Sequence, residues 1–197
     1  MLLLDPARWW RQKDLADATG LDDGNVSRIV RRLLDEALLE RRERELRPRD
    51  PNLLLDAWAQ DYRFDRHQAV FGHLSGSGME VARELHERLT EVDAIHAFTG
   101  LPAAWAMTHF ARFRLTSVYV EGNPLSIAGE IDMRQGEKGA NVQILGPDDE
   151  GVFAGGGEFD DLPCVAPVQA YLDLSSLPER AKEAARHLRD ERMDWRG

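Results

Sequence analysis

A short stretch of the chain places hydrogen-bonding and cationic side chains along one face of a predicted helix. The opposite face repeats apolar residues at the helical period, namely Val26, Ile29, Val30, Leu33 and Leu34. The polar face carries Asn25, Ser27, Arg28, Arg31 and Arg32. Amide, hydroxyl and guanidinium groups bind the edges of DNA bases, and guanidinium groups also bind phosphates. We therefore expect base contacts from Asn25, Ser27 and Arg28, and phosphate contacts from Arg31 and Arg32.

The elements around this helix predict a winged helix-turn-helix DNA-binding domain at residues 1–64. A short helix is predicted at 12–19, followed by Gly20, where a tight turn requires a positive φ. Asp22 or Asp23 can cap the second helix. Residues 38–48 have the pattern of two strands around a charged tip, and in this wing Arg42 and Arg44 would contact the DNA backbone.

Two other interpretations of this segment remain open at the level of sequence. One is a small helical hairpin with a solvated face of mixed charge, and the other is a winged helix that binds protein. Charge alone does not decide between them, because residues 1–49 hold eleven Lys and Arg against ten Asp and Glu. The order of helix, turn, longer helix and strand pair favours DNA binding.

The amino-terminal end lacks the full first helix with which a winged helix normally begins. Only Leu2, Leu3 and Leu4 precede Asp5 and Pro6, and a proline there starts or breaks a helix. Either residues 7–11 take the place of the first helix, or the chain is the later part of a longer protein. Exposed leucines at this end would favour self-association.

The composition is typical of a cytoplasmic protein with two small domains. The chain has 197 residues, of which 43% are hydrophobic, and its one cysteine, Cys164, excludes an intramolecular disulfide and favours a buried apolar role. No apolar run is long enough to span a membrane, and no signal peptide is visible. The six histidines show no metal-binding spacing, so we expect neither a metal nor a cofactor.

The negative charge is concentrated in the second part of the chain. Residues 1–66 hold 13 Lys and Arg against 14 Asp and Glu, whereas residues 67–197 hold 12 against 21. An acidic surface repels nucleic acid, so this part suits a protein partner, a ligand pocket or a dimer interface.

The fold class predicted for the whole chain is α+β, with a winged helix-turn-helix followed by a mixed α/β sensing or partner-binding domain at 79–197. A linker is predicted at 65–78, although 68–74 also fits a short strand. Further predictions are helices at 80–89, 101–110, 167–172 and 179–192, and extended segments at 94–98, 116–121, 125–133, 140–145 and 151–153.

Four segments of the chain resemble the AbiEi-type antitoxins and transcriptional regulators of type IV toxin–antitoxin systems. They are WRQKDLA at 10–16, VSRIV at 26–30, RDPNLLLDAW at 49–58 and APVQAYLDL at 166–174. The resemblance implies a winged helix followed by an α/β domain, and an activity of binding promoter DNA to repress the protein's own operon. It also implies a toxin partner. The winged helix by itself is equally similar to MarR-like regulators, which respond to a small-molecule effector.

An enzymatic alternative comes from residues 98–101, FTGL, which resemble the opening of a nucleotidyltransferase fold. That chemistry needs two carboxylates one residue apart on the following strand. Here the following strand is SVYVE, whose only carboxylate is that of Glu121. Two carboxylates one residue apart occur at Glu130 and Asp132, in a different part of the chain. We therefore expect a degenerate nucleotidyltransferase-like shape without catalysis, and a protein that is not an enzyme. A homodimer is expected, because one winged helix reads few base pairs.

Overall fold

The computed structural model of the protein describes residues 1–177, 179–193 and 195; positions 178, 194, 196 and 197 of the predicted second domain lie outside the described residues. The described residues form eight α-helices and two β-sheets, which confirms the α+β class. Their contacts divide the chain into two compact units. The first comprises Met1–Tyr62 together with Trp195, and the second comprises the described residues of 63–193.

The first unit is a helix pair enclosed by a three-stranded antiparallel sheet and followed by a third helix. Its elements are β1 (Trp10–Arg11), α1 (Gln12–Thr19), α2 (Asp23–Asp35), β2 (Leu39–Arg42), β3 (Glu45–Pro48) and α3 (Pro51–Asp61). The strand order is β1-β3-β2, so the last strand lies between the first two. The core is built from both helices and the sheet, with Leu15, Val26, Val30, Leu39, Leu46 and Leu55 buried.

The second unit is built on a seven-stranded mixed sheet. Its strands are β4 (Gln68–His73), β5 (His96–Thr99), β6 (Thr116–Val120), β7 (Arg134–Gln135), β8 (Val142–Gly146), β9 (Gly157–Phe159) and β10 (Leu162–Cys164), in the order β7-β4-β8-β6-β5-β10-β9. Its helices are α4 (Met79–Glu91), α5 (Gly100–Thr108), α6 (Pro124–Glu130), α7 (Pro167–Ser175) and α8 (Glu179–Arg192). The pairs β6–β8 and β5–β10 are parallel, and the other pairs are antiparallel.

The core of the second unit lies at the middle of this sheet. Every residue of β6 and β8 is buried, which requires both faces of the sheet to be covered because successive side chains point to opposite faces. Helices α5, α7 and α8 pack against one another. Cys164 is buried as predicted, and burial raises the pKa of its thiol to about 12.

The middle of the segment predicted as a linker, 65–78, belongs to the sheet as strand β4. Strand β4 pairs with β8 along its length, with Val70 opposite Ile144, and it also pairs with β7. The alternative prediction, a short strand at 68–74, is therefore confirmed. Pairing between strands this far apart in the chain is not visible in the local composition, where Gly72, Gly76 and Gly78 favour a loop.

Two segments predicted as extended are helical, and both are explained by capping. Residues 125–133 were expected as a strand, but Pro124–Glu130 is α6, because the Asn123 side chain accepts hydrogen bonds from the backbone N–H groups of Leu125 at 2.8 Å and Ser126 at 3.2 Å. Residues 151–153 belong to a short 3-10 helix, Glu150–Phe153, that Asp149 caps in the same way.

Candidate nucleic-acid interface

The turn between α1 and α2 sets the direction of the exposed face of α2. Gly20 ends α1 with a φ of 69°, and its backbone N–H donates to the carbonyl of Ala16. The Asp22 carboxylate caps α2 by accepting a hydrogen bond from the backbone N–H of Asn25 at 2.8 Å. This hydrogen bond is the main cause of the lowered pKa of Asp22, which keeps that carboxylate charged. Both capping predictions for this turn are confirmed.

A chain of hydrogen bonds holds the first turn of α2. The Asn25 side-chain amide donates to the carboxylate of Asp22, and its carbonyl oxygen accepts a hydrogen bond from the Arg28 guanidinium. Asn25 is half-buried and Arg28 is exposed. Asn25 and Arg28, two of the three residues predicted to contact bases, therefore lie together, with Asn25 in a position to orient Arg28.

Ser27 and Arg31 face the β2–β3 hairpin. They line a groove of about 350 Å³ together with Gln12, Leu34, Asp35 and Arg41. A neighbouring groove of about 360 Å³ is lined by Arg11, Gln12, Arg41, Glu43 and Arg44. Because Gln12 and Arg41 belong to both grooves, the surface runs without interruption from α2 to the tip of the hairpin. We call this surface, made of Gln12, Ser27, Arg31, Arg41 and Arg44 and bordered by the acidic Asp35 and Glu43, the basic face.

The alternation of the hairpin decides which arginines belong to the basic face. Arg41 lies opposite the buried Leu46, on the same side of the sheet as the buried Leu39. Arg42 lies opposite Glu45 in the strand register and points to the other side of the hairpin. The sequence prediction named Arg42 and Arg44 and missed Arg41. The period-two alternation from Leu39 is the signal that identifies it.

The arginines around the basic face differ in how they are paired. Among the residues that the structure describes, Arg31, Arg41, Arg42 and Arg44 form no ion pair. Arg11 lies 3.8 Å from the Glu45 carboxylate, and this exposed pair contributes little. Exposed guanidinium groups that form no ion pair are available to phosphates.

Arg32 is separated from the other predicted contacts. Its guanidinium binds the carboxylates of Glu36 at 2.8 Å and Asp61 at 3.0 Å, so it links α2 to α3. Ile29, predicted to lie in the core, is exposed on the same side of α2. The structure therefore brings Ser27, Arg31 and Arg44 to the basic face, and Arg28 lies one turn before Arg31 on α2. Arg32 lies beside α3, and Arg42 lies on the other side of the hairpin.

The acidic residues named in the enzymatic alternative lie on the surface of the second unit. Glu121 follows β6, Glu130 ends α6, and Asp132 comes two residues later, and all three are exposed. On β6 itself, Ser117 donates to the Gln143 side chain at 3.0 Å and Tyr119 donates to Asp173 at 3.1 Å. No group of three or more potential metal ligands is found within the described part of the chain.

Two histidines that are distant in sequence meet in the second unit. Nδ1 of His86 on α4 lies 2.8 Å from Nε2 of His96 on β5. Burial lowers the pKa of His96 below its ordinary value of 6.5, and the charge of His86 lowers it further, against the hydrogen bond to the Ala94 carbonyl. The spacing of the histidines gave no sign of this pair.

The family relationship rests on the larger part of the chain. Residues 47–194 match the family described as transcriptional regulator, AbiEi antitoxin, type IV toxin–antitoxin system. The chain belongs to this family of AbiEi antitoxins. The match begins within β3, so helices α1 and α2 lie outside it. No curated protein and no solved structure matches the chain. No helix among the described residues is long and apolar enough to cross a membrane.

Proposed function

We propose that this protein is a DNA-binding regulator that represses its own operon and serves as the antitoxin of a type IV system. In this proposal Met1–Tyr62 is a winged helix-turn-helix domain with α2 as its recognition helix. The observation that carries it is the strand order β1-β3-β2, with α1 and α2 inserted between β1 and β2 and the unpaired arginines of the hairpin beside α2. That arrangement presents a helix and a wing to the same side, as groove and backbone binding require.

Each part of the surface has a distinct role in the proposal. Asn25, Ser27 and Arg28 reach base edges from the first turns of α2, where amide and guanidinium groups form specific bidentate pairs with bases. Arg31, Arg41 and Arg44 bind the phosphates on either side of the groove. The charged Asp22 occupies the amino terminus of α2. Phosphates are therefore held by arginines rather than by the end of the helix.

The second unit supplies the antitoxin part of the proposal. The acidic balance of residues 67–197, 12 Lys and Arg against 21 Asp and Glu, favours a protein partner over nucleic acid. The toxin of the same operon is the partner that membership of the family suggests. We assign no catalytic step to this unit.

Repression of a reporter gene placed behind the operon's own promoter tests the proposed function. The wild-type protein should lower reporter expression, and Arg31→Ala should restore part of it because a phosphate contact is lost. The matched control is Arg114→Ala, which removes an exposed arginine of the second unit and should leave repression unchanged.

A co-expression assay with the toxin separates the two parts of the proposal. Because Arg31 lies in the first unit, Arg31→Ala should still protect cells from the toxin. No repression by the wild-type protein, or equal loss with Arg31→Ala and Arg114→Ala, would contradict the assigned DNA-binding surface.

A further inference from the structure

A polar cleft lies between α7 and α8 in the second unit. Its volume is about 450 Å³, which is within the range of small-molecule sites. It is lined by Tyr171 and Ser175 of α7 and by Lys182, Glu183, Ala185 and Arg186 of α8. Ala185 is buried, whereas the three charged residues are exposed. We call this feature the α7–α8 cleft.

Three cations follow one stripe of α8 beside the cleft. At about 100° per residue, Lys182, Arg186 and Arg189 fall within an arc of about 60°. Elsewhere on α8 the i, i+4 spacing joins opposite partners, since Nε2 of His187 lies 2.8 Å from the Glu191 carboxylate. Lys182 and Arg186 form no ion pair with any residue that the structure describes. Like charges at this spacing destabilise a helix, and a bound anion would remove that cost.

The hydroxyl group of Tyr171 is a third donor in the α7–α8 cleft. The Arg189 guanidinium donates to its oxygen at 3.2 Å and lies over its ring, 5.6 Å from the ring centroid. A tyrosine that accepts this hydrogen bond still has its own O–H to donate, and no acceptor for that hydrogen is found in the described part of the chain. The Ser175 hydroxyl is already used, because it donates to the carbonyl of Tyr171 at 2.7 Å.

A phosphate group matches three donors of this kind. A phosphate monoester presents three acceptor oxygens and carries nearly two negative charges at neutral pH, whereas a carboxylate presents two oxygens and one charge. Residues 67–197 hold 12 Lys and Arg against 21 Asp and Glu, so cations gathered without acidic partners are unusual in this unit. The carboxylate of Glu183 also lines the cleft and opposes anion binding.

We propose that the α7–α8 cleft binds the phosphate group of a small molecule. Lys182 and Arg186 neutralise its charge, and the Tyr171 hydroxyl donates to an oxygen that these two cations leave free. The proposal goes beyond the proposed function and requires neither DNA nor a toxin. None of its residues belongs to the basic face.

Isothermal titration calorimetry of the full chain with adenosine monophosphate tests the site. Lys182→Ala and Arg186→Ala should each weaken binding at least about tenfold, because each removes a charge-assisted hydrogen bond. Glu183→Gln should strengthen binding, because it removes a carboxylate that repels the phosphate. The matched controls Lys138→Ala and Arg114→Ala remove exposed cations elsewhere in the second unit and should change nothing.

Three further probes identify the group that is bound. Inorganic phosphate should bind as tightly as adenosine monophosphate if the site takes the free ion, and less tightly if it takes a nucleotide. Adenosine, which lacks the phosphate group, should not bind. Acetate should compete poorly with either phosphate probe. Adenosine that binds as tightly as adenosine monophosphate, or acetate that binds more tightly than phosphate, overturns the proposal.

Thermal melting gives a second readout and shows whether each variant is folded. A ligand that binds only the folded state stabilises it, so adenosine monophosphate should raise the melting temperature of the wild type. Arg31→Ala, which alters the basic face, should show the same rise, whereas the double variant Lys182→Ala/Arg186→Ala should show none. No binding of either phosphate probe by the wild type, binding that survives in the double variant, or binding that Arg31→Ala abolishes overturns the proposal.

The outcome for the cleft is separable from the outcome for DNA binding. A protein that binds phosphate through Lys182 and Arg186 but shows no preference for its promoter keeps the cleft and overturns the proposed function. A protein that prefers its promoter but binds neither phosphate probe keeps the proposed function and overturns the cleft alone.

Discussion

Arg41 and Arg42 are neighbours in sequence but lie on opposite faces of the hairpin. Arg41 lies on the same side as Leu39 and borders the groove beside Ser27 and Arg31. Arg42 lies opposite Glu45 in the strand register, on the other side of the hairpin. Composition alone treats the two arginines alike, and only the register of the strands separates them. The predicted phosphate contact of Arg42 stays a prediction.

Alanine substitution of each arginine in turn measures this difference. Arg41→Ala should weaken binding to any DNA sequence and reduce the slope of log affinity against log salt by about 0.9, the value for one phosphate contact. Arg42→Ala should change the slope much less. Fluorescence anisotropy over a salt series checks both variants, and a larger effect from Arg42→Ala would show that the DNA faces the other side of the hairpin.

The pKa of His96 makes the second unit sensitive to acid. Because burial holds this pKa below 6.5, the unfolded chain binds a proton more readily than the folded protein. The two states are equally neutral well above pH 6.5, and stability falls as the pH drops below that value. His96→Gln should therefore lose less thermal stability than the wild type between about pH 8 and about pH 5. An unchanged pH dependence of the melting temperature would contradict this assignment.

At the scale of elements, the helices whose ends carry local signals could be predicted from sequence. The helix at 12–19, its turn at Gly20 and the cap at Asp22 follow from residues within one or two turns of each other. Helix α6 could not be predicted in this way, because Asn123 and Pro124 suit a turn as well as a helix start. The β9–β10 hairpin was also missed, since the glycines at 155–157 favour a loop.

Contacts between residues that are far apart in the sequence account for most of the structure that could not be predicted. Asp173 on α7 accepts hydrogen bonds from Thr99 at the end of β5, from Tyr119 on β6 at 3.1 Å and from Gln169 at 2.9 Å. Asp173, Thr99 and Tyr119 are fully buried. Only the last of these three donors is close to Asp173 in sequence, so the network depends on a sheet and helix arrangement that no local pattern specifies.

Substitutions in this network should cost different amounts of stability. Asp173→Ala removes the acceptor of three donors and should lower the free energy of unfolding by about 3 kcal/mol, whereas Tyr119→Phe removes one hydrogen bond and should cost about 1 kcal/mol. Chemical denaturation measures both values. A smaller loss for Asp173→Ala than for Tyr119→Phe would mean that the network does not hold α7 to the sheet.

At the scale of the whole molecule, the division of charge was visible in the sequence but the extent of the sheet was not. Counting acids and bases separated a nearly neutral first part from an acidic second part. The strand order β7-β4-β8-β6-β5-β10-β9 joins strands from both ends of the second unit, and it brings part of the segment expected as a linker into the sheet as β4. Such an order is set by packing across the whole unit.

The central claim is that the full chain reads DNA sequence through α2, and equilibrium binding tests it most directly. The full chain should prefer the DNA upstream of its own operon to random DNA of equal length, and the preference should persist as salt rises. Arg28→Ala should cost about 1–3 kcal/mol on the upstream DNA and little on random DNA, whereas Arg44→Ala should weaken both alike. Equal affinity of the wild type for both DNAs, or equal losses on both with Arg28→Ala, would contradict recognition through this helix.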